Sequence, residues 1–237
     1  MRSYEVSIII PAFNEEQRLG RTLPLAISLL DSQRGRFELI VVDDGSVDRT
    51  FVVARDAMRG RADARVIRYT KNQGKGCAVR TGVLESHGEV ILFTDADLST
   101  PLAELERGLS HLANGCEIAI GSRAHPQAHI EKRQPLYRRA GARIFKQMIH
   151  AWLGLQDFQD TQCGFKLFKR EAAIALFGAQ RVKGFMFDVE ILCRARRAGY
   201  RVREYPVAWA NDSDSRLRLF SDSVRMFKDL WWIRFGT

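Results

Sequence analysis

The chain has 237 residues, of which 46% are hydrophobic and 27% charged, and its 37 lysines and arginines against 28 acidic residues give a formal net charge of +9. This length and composition predict one large globular domain with a substantial core. The apolar runs are shorter than the about 20 residues that a membrane-spanning helix needs, so we expect no span. The positive charge favours an anionic partner: nucleic acid, a membrane surface or a phosphorylated substrate.

The cysteines and the start of the chain bear on its compartment. The four cysteines are Cys77, Cys116, Cys163 and Cys193. Their wide spacing fits neither a zinc site nor a CxxC pair. A strand is predicted directly after Arg2, where a secretory signal would place its apolar segment. We therefore expect a reduced, cytoplasmic compartment.

The first half of the sequence alternates predicted strands and helices. The strands are predicted over Val6–Ile10, ended by Pro11, and over Leu39–Val42, Arg65–Tyr69, Val90–Thr94 and Glu117–Gly121. The helices are predicted to begin at Asn14 as N-cap, near Asp48, at Gly74, and at Thr100 as cap with Pro101 in the first position. Because the strands are apolar throughout rather than alternating, we expect an α/β fold with a mostly parallel sheet and helices on both faces.

Polar clusters follow four of the predicted strands. They are residues 11–15, 43–44, 95–97 and 121–123. In open parallel sheets the carboxyl ends of the strands share one edge, and ligands bind there. The sequence therefore predicts a ligand site built from these clusters.

The acidic pair Asp95 and Asp97 suggests a metal at that edge. Residues two apart at the end of a strand point the same way, so the two carboxylates are expected to repel each other. A divalent cation such as Mg²⁺ relieves that conflict and bridges one or two carboxylates to substrate phosphates. A surface turn with two solvated acids is the alternative. Lys75, at a glycine-flanked helix start, either meets a diphosphate or is a solvated lysine.

Basic residues dominate the second half. Arg123 is predicted to contact phosphate, because a planar guanidinium binds phosphate bidentately. A basic amphipathic segment then follows, with the residues Lys132, Arg133, Arg138, Arg139, Arg143 and Lys146 beside Ile144, Phe145, Met148 and Ile149. It is read either as a solvated helix face or as a membrane-surface helix.

The C-terminal segment has apolar residues at helical spacing. They are Phe220, Val224, Phe227 and Trp231, with Arg225, Lys228 and Arg234 around them. An amphipathic helix docked on the core is the preferred interpretation. The Trp231-Trp232 pair with flanking basic residues would also suit a membrane interface.

Five motifs occur in the order found in family 2 glycosyltransferases of the GT-A fold. They are Pro-x-x-Asn-Glu at 11–15, Val-Asp-Asp-Gly-Ser at 42–46, Asn-x-Gly-Lys-Gly at 72–76, Asp-x-Asp at 95–97 and Gly-Ser-Arg at 121–123. Residues 160–168 and 187–190 resemble the family branch of dolichyl-phosphate β-glucosyltransferases and mannose synthases. The resemblance implies one GT-A catalytic domain over 1–237, with a Rossmann-like sheet, a nucleotide-sugar and metal-binding half at 1–123 and an acceptor-binding half at 124–237.

The resemblance also implies residue roles on the donor side. The donor site would include Pro11, Phe13, Glu15, Val42, Asp44, Lys75, Asp95, Ala96 and Gln162. Asp97 would be the main metal ligand, with Asp95 bridging ribose and metal and Ser99 as a weak third contact. Residues 43–46 also suit a turn, but a helix cap at Asp48 would leave the acidic pair free to bind.

The remaining roles concern the acceptor. Arg123 and Arg216 would contact phosphates, the basic segment would receive a lipid phosphate, and Gln162 and Lys166 would line the sugar or acceptor pocket. Asp188 would be a general base for a hydroxyl acceptor. A lipid phosphate is already ionised and needs no base. Asp188 would then orient the sugar or acceptor, or serve only as a helix N-cap.

These observations lead to one principal hypothesis. We expect an inverting, Mg²⁺- or Mn²⁺-dependent transfer of a hexose, glucose from UDP-glucose, to a polyprenyl or dolichyl monophosphate, by a peripheral protein on the cytoplasmic face of the membrane. The alternatives are a GDP-mannose donor, a hydroxyl acceptor, a nucleotidyltransferase, which would need a glycine-rich basic loop after the first strand, and a nucleic-acid-binding module, for which no recognition motif is found.

Overall fold

The computed structural model describes residues 4–33, 36–132, 146–210 and 219–236. Several predicted residues lie outside these ranges: Arg133, Arg138, Arg139, Arg143, Ile144, Phe145 and Arg216. For some others only the backbone is described: Lys132, Phe220, Val224, Arg225 and Phe227.

Strands and helices alternate through the first half, as the apolar runs predict. The strands are β1 (Tyr4–Ala12), β2 (Phe37–Asp43), β3 (Ala64–Arg68), β4 (Gly88–Thr94), β5 (Ile118–Ser122), β6 (His129–Lys132), β7 (Phe165–Lys169), β8 (Val202–Pro206) and β9 (Ala208–Ala210). The helices are α1 (Glu16–Ser32), α2 (Thr50–Ala57), α3 (Lys75–Leu84), α4 (Leu105–Ala113, after a 3₁₀ turn at Leu102–Glu104), α5 (146–153), α6 (Arg170–Gly178), α7 (Phe187–Arg197) and α8 (Leu219–Phe235).

Seven strands form the main sheet in the order β3-β2-β1-β4-β7-β5-β8. All neighbours pair in parallel except β7, which runs antiparallel between β4 and β5. A short parallel pair of β6 and β9 lies apart from it. The mostly parallel sheet predicted from the sequence is confirmed, and β7 is an addition that the sequence did not predict.

Apolar layers cover both faces of the sheet. Successive residues of β1 alternate between the layers, with Ile8 and Ile10 in one and Ile9 in the other. The first layer includes buried residues of α1, α2 and α4, and the second those of α3, α6, α7 and α8. This burial on both faces explains why the strands read as continuous apolar runs. Within the described ranges, no helix has the length and apolarity to cross a bilayer.

Three predicted boundaries are wrong. Pro11 does not end β1, because β1 pairs with β4 only as far as Ile9 but with β2 as far as Ala12. A missing N–H is tolerated where a strand has one neighbour. Asn14 does not cap α1, whose N-cap is Glu15, and Thr100 does not cap the 3₁₀ turn that precedes α4, whose N-cap is Pro101.

Asn14 instead links two loops of the predicted site. It adopts a left-handed conformation with φ of 55°, which asparagine tolerates better than most residues. Its backbone N–H donates to Ser46 Oγ at 2.8 Å, and its side-chain oxygen accepts from the Val47 N–H at 2.9 Å. The loops after β1 and β2 are thereby held side by side.

Candidate active site

The acidic pair after β4 lies in a turn rather than on an extended strand. The Leu98 N–H donates to the Asp95 carbonyl at 3.1 Å, and Leu98 has a φ of 47°. The extended geometry predicted for residues 95–97 is therefore wrong. The two carboxylates still influence each other. The pKa of Asp97 is raised mainly by burial and secondly by the charge of Asp95. Ser99 supports this arrangement by donating its N–H to Asp97 Oδ1 at 2.9 Å.

Gly164 allows the close approach of the loop before β7 to this turn. A β-carbon at Gly164 would lie within 2.0 Å of a carboxylate oxygen of Asp95. The Asp95 N–H donates to the Gly164 carbonyl at 3.2 Å, which fixes the same contact from the backbone. Ala96 is buried, and its carbonyl accepts from Thr22 Oγ1 at 2.8 Å. The turn is thus braced on two sides.

Lys75 brings a cation to the acidic pair. It is the first residue of α3, after Gly74 with a φ of 106°. Its Nζ lies 2.6 Å from Asp95 Oδ1. Burial alone would lower the pKa of Lys75, but the charges of Asp95, Asp188 and Asp97 outweigh it and raise the pKa. Lys75 is thus a partly buried, ion-paired residue rather than a solvated one.

The acidic pair fits a divalent cation whose coordination is completed by a ligand. Among the described residues, no three His, Cys, Asp or Glu side chains converge as a metal-binding group. Asp95 and Asp97 supply two carboxylates, and burial together with the charge of Asp95 raises the pKa of Asp97, a cost that a bound cation would relieve. Mg²⁺ is commonly bound in this way, by one or two carboxylates with phosphates and water.

The acidic pair after β2 is engaged by backbone N–H groups. Asp43 is fully buried, accepts from the Ser46 N–H at 3.0 Å, and pairs with Arg68 at 3.2 Å. Asp44 accepts from the N–H groups of Gln73 and Gly74 at 2.7 and 2.8 Å. The expectation that the pair is left free is therefore wrong. Both carboxylates shape loops, and Asp44 holds the segment that leads into Lys75.

The other predicted donor residues lie at the ends of β1 and β2. Phe13 is 39% exposed and is the one aromatic ring among them that solvent reaches. Pro11 and Val42 are buried and paired in register across the two strands. Glu15 forms an ion pair with Arg18 at 3.0 Å. Among these four residues, Phe13 therefore offers an exposed ring at the predicted site, and Pro11 and Val42 lie buried next to each other in the sheet.

Arg123, after β5, is held by a carboxylate that sequence reasoning did not assign. Asp160 accepts from Arg123 Nε at 2.7 Å, from Nη2 at 2.8 Å and from its backbone N–H at 3.0 Å. Burial would raise the pKa of Asp160, but the charge and hydrogen bonds of Arg123 lower it to about 2. Gln162 donates its N–H to Asp160 at 3.3 Å. The pair stays ionised at neutral pH.

Asp188 belongs to a buried ion pair. It is the second residue of α7, whose N-cap is Met186, so the N-cap interpretation is wrong. Lys166 Nζ lies 2.7 Å from Asp188 Oδ1 and 2.6 Å from the Cys163 carbonyl. Burial raises the pKa of Asp188, and Lys166 and Lys75 oppose that rise. Lys166 is buried, so it pairs with Asp188 inside the core rather than lining the predicted sugar or acceptor pocket.

Glu190, the second acid of the same segment, has a structural role. It is fully buried and accepts from the N–H groups of Arg181 and Val182 at 3.0 and 2.7 Å. Arg194 donates to it at 2.8 Å. The loop that Glu190 fixes continues to Lys183, whose carbonyl accepts from the Cys77 N–H of α3 at 3.2 Å.

Comparisons with known proteins agree on one family. The Glycosyl transferase family 2 profile matches residues 7–177. Human dolichyl-phosphate beta-glucosyltransferase is 38% identical over 97% of this chain and 75% of its own length. The Saccharomyces cerevisiae enzyme of the same name is 34% identical over 97% of this chain and 74% of its own.

A solved structure supports the fold. Mycobacterium tuberculosis glucosyl-3-phosphoglycerate synthase with Mn²⁺ and uridine-diphosphate-glucose matches with a TM-score of 0.70 at 20% identity, over 98% of this chain and 79% of that one. At this identity the likeness concerns the fold alone, and it confirms the predicted GT-A architecture. The chain belongs to glycosyl transferase family 2 and is a glycosyltransferase.

Proposed function

We propose that this glycosyltransferase transfers glucose from UDP-glucose, with inversion and with Mg²⁺ or Mn²⁺, to the phosphate of a polyprenyl or dolichyl phosphate. Relatives named for glucosyl transfer to dolichyl phosphate match nearly the whole chain. The observation that carries the proposal is the meeting, at one sheet edge, of the Asp95–Asp97 pair with Lys75 and Arg123. Such a site suits two phosphate-bearing substrates rather than one.

The donor half binds and neutralises a diphosphate. Asp97 and Asp95 would hold the metal ion, which would supply Lewis-acid stabilisation of the leaving diphosphate. Lys75 adds a cation beside the first turn of α3, whose N–H groups favour anions. Phe13 offers a ring for the base. Ser99 keeps Asp97 in place through its backbone N–H.

The acceptor half supplies an oriented guanidinium. Arg123 uses Nε and one Nη2 proton on Asp160. A guanidinium has five N–H donors, so, within the part of the chain that the structure describes, three remain for a phosphate. The acceptor oxygen, already ionised, attacks the anomeric carbon opposite the departing UDP. Positioning and charge neutralisation account for the catalysis.

A phosphate acceptor fits the state of Asp188. The Lys166 ammonium already donates to one of its oxygens, and the carboxylate is buried. A general base must reach the proton that it removes. With a phosphate acceptor there is no such proton, and Asp188 serves to orient the sugar or acceptor.

Asp188→Asn separates the two acceptor classes. With a phosphate acceptor we expect kcat to fall by about tenfold, because orientation is weakened but no proton transfer is lost. With a hydroxyl acceptor the loss of the base would lower kcat by about 10³-fold or more. Single-turnover product formation measures this, with circular dichroism to verify folding. A loss of the larger size would contradict the phosphate acceptor.

The donor is tested separately by calorimetric binding in the presence of Mg²⁺. We expect UDP-glucose to bind and GDP-mannose to bind at least about tenfold more weakly, a difference of about 1.4 kcal/mol. Tighter binding of GDP-mannose would favour the mannosyltransferase alternative, and it would leave the phosphate acceptor unaffected.

An aromatic patch at the ends of α5 and α8 supports peripheral membrane association. The patch consists of Trp152, Trp231 and Phe235, which are 41%, 60% and 63% exposed. The rings of Trp231 and Phe235 lie 4.7 Å apart, and the basic residues Lys228 and Arg234 are exposed beside them. Exposed aromatics with flanking cations suit the interface of an anionic bilayer.

We expect Trp231→Ser with Phe235→Ser to weaken binding to vesicles containing phosphatidylglycerol by about tenfold, since two apolar rings no longer enter the interface. Vesicle flotation measures this. Leu25→Ser is the matched control, because Leu25 is 62% exposed on the opposite face of the sheet. Equal flotation of the double variant and the control would contradict a role for the patch.

A further inference from the structure

Two carboxylates support Arg123 indirectly and directly: Glu204 binds the backbone of Asp160, and Asp160 binds Arg123. Glu204, in β8, accepts the N–H groups of Gln159 and Asp160 at 2.7 and 2.8 Å, one on each carboxylate oxygen. Asp160 in turn grips Arg123 through Nε, Nη2 and the backbone N–H. The order of contacts is therefore Glu204, Asp160, Arg123.

Glu204 anchors a segment that lies outside the helices and strands. Residues 159–164 belong to no helix or strand. Backbone N–H groups in such a segment need other partners, and here one carboxylate serves two of them. Glu204 itself stands on a strand that pairs in parallel with β5, directly before Arg123. The rigid sheet thus sets where Asp160 lies.

The guanidinium of Arg123 is fixed on a second side by a ring. Its Cζ lies 5.5 Å from the centre of the Trp209 ring, in β9. The side chain is 31% exposed, so part of it remains open to a ligand. Asp160 binds one edge of the guanidinium through two hydrogen bonds, and the Trp209 ring lies beside it. Together they restrict the orientation of the opposite edge of the guanidinium.

The charges of Arg123 and Asp160 suit a role in positioning. Burial would lower the pKa of Arg123, but Asp160 outweighs it and raises the pKa. The pKa of Asp160 is lowered to about 2. Neither group changes its charge near neutral pH, so the pair orients a ligand and does not act as an acid or base.

We propose that Glu204 and Asp160 are positioning residues that aim the free N–H donors of Arg123 at the phosphate of the acceptor. The proposal rests on the proposed function only in naming that phosphate as the ligand of Arg123. Both residues act through Arg123 and neither touches the substrate. Disturbing either one should weaken the acceptor and spare the nucleotide sugar.

Two variants test the two contacts, Asp160 with Arg123 and Glu204 with Asp160, separately. Asp160→Asn removes the charge that holds Arg123, and we expect the KM for geranylgeranyl phosphate in detergent to rise about tenfold. Glu204→Gln keeps the Asp160–Arg123 pair but offers one carbonyl oxygen to two N–H groups, and we expect a rise of about threefold to tenfold. The KM for UDP-glucose should change by less than about twofold in both.

The control is a similar pair at the other end of the same strands. Glu117 accepts the Arg201 backbone N–H at 2.8 Å and its Nη2 at 2.7 Å, just before β5 and β8 begin. Glu117→Gln therefore disturbs β5 and β8 without touching the site. It should leave both KM values unchanged. Thermal melting of all variants verifies folding, and Glu204→Gln decides the matter if Asp160→Asn does not fold.

Arg123→Met completes a cycle that separates the two proposals. In that background, adding Glu204→Gln should have no further effect on the calorimetric Kd for geranylgeranyl phosphate, because both act through one guanidinium. An acceptor Kd unchanged by Arg123→Met would refute the role of Arg123 itself. Two results would overturn only the positioning role of Glu204 and Asp160. One is an acceptor Kd that is raised by Arg123→Met but by neither carboxylate variant. The other is a parallel rise of the KM values for geranylgeranyl phosphate and UDP-glucose in the carboxylate variants.

Discussion

Asp97→Asn is expected to lower kcat/KM by about 10³-fold or more and, at the same time, to raise the melting temperature. The carboxylate is the proposed main metal ligand, and without it the charge on the leaving diphosphate is not neutralised. The asparagine side chain can still accept the Ser99 N–H that Asp97 Oδ1 now accepts at 2.9 Å. The turn is therefore expected to keep its shape.

The stability gain follows from the direction of the pKa shift. Burial and the charge of Asp95 raise the pKa of Asp97, so the ionised form is disfavoured in the folded state. A neutral side chain removes that cost at pH 7. Opposite changes in activity and stability are typical of residues kept for function.

Steady-state kinetics over a Mg²⁺ titration, with calorimetric melting, measures both changes. Asp56→Asn is the control, since Asp56 pairs with Arg55 and Arg59 through exposed side chains at the end of α2. The control should retain full activity. Activity of Asp97→Asn within about tenfold of the unchanged protein would rule out Asp97 as a metal ligand.

Lys166→Met is expected to cost about 3–5 kcal/mol of the free energy of unfolding, because it leaves Asp188 buried without its closest partner. The two side chains are 1% and 5% exposed, and 2.7 Å separates Nζ from Oδ1. Lys75 also compensates Asp188 electrostatically, which favours the lower end of that range. The double variant Lys166→Met with Asp188→Leu should regain most of the loss, since it buries no charge.

Urea unfolding at pH 7 measures these free energies. Arg36→Met is the control, because its pair with Glu5 joins side chains that are 60% and 50% exposed. The control is expected to leave the unfolding midpoint unchanged. A double variant as unstable as the single one would show that the pair contributes more than charge compensation.

The sequence was sufficient for features carried by local patterns. Apolar runs such as 90–93 and 118–120 predicted buried strands, and the polar residues after them met at one edge of the sheet. The motif order identified the family. The antiparallel strand β7 was missed because its position between β4 and β5 depends on long-range pairing rather than on its own residues.

Features set by distant contacts were not predictable in this way. Asp160 binds Arg123 across 37 positions, and Glu204 binds Asp160 across 44. Asp44 was expected to be free, but residues 72–74 provide its partners. No local spacing encodes such pairs. The resemblance marked residues 160–168 as informative, and this was the one signal near Asp160.

The product of the reaction distinguishes a phosphate acceptor from a hydroxyl acceptor. The purified protein is incubated with Mg²⁺, geranylgeranyl phosphate and, in separate reactions, UDP-glucose, GDP-mannose and UDP-galactose, and the lipids are analysed by mass spectrometry. We expect a hexosyl-phosphoryl lipid from UDP-glucose, no product without the divalent cation, and no glycosylated product when geranylgeraniol replaces the lipid phosphate. Glucose found on geranylgeraniol instead, or UDP release without any lipid product, would contradict a phosphate acceptor.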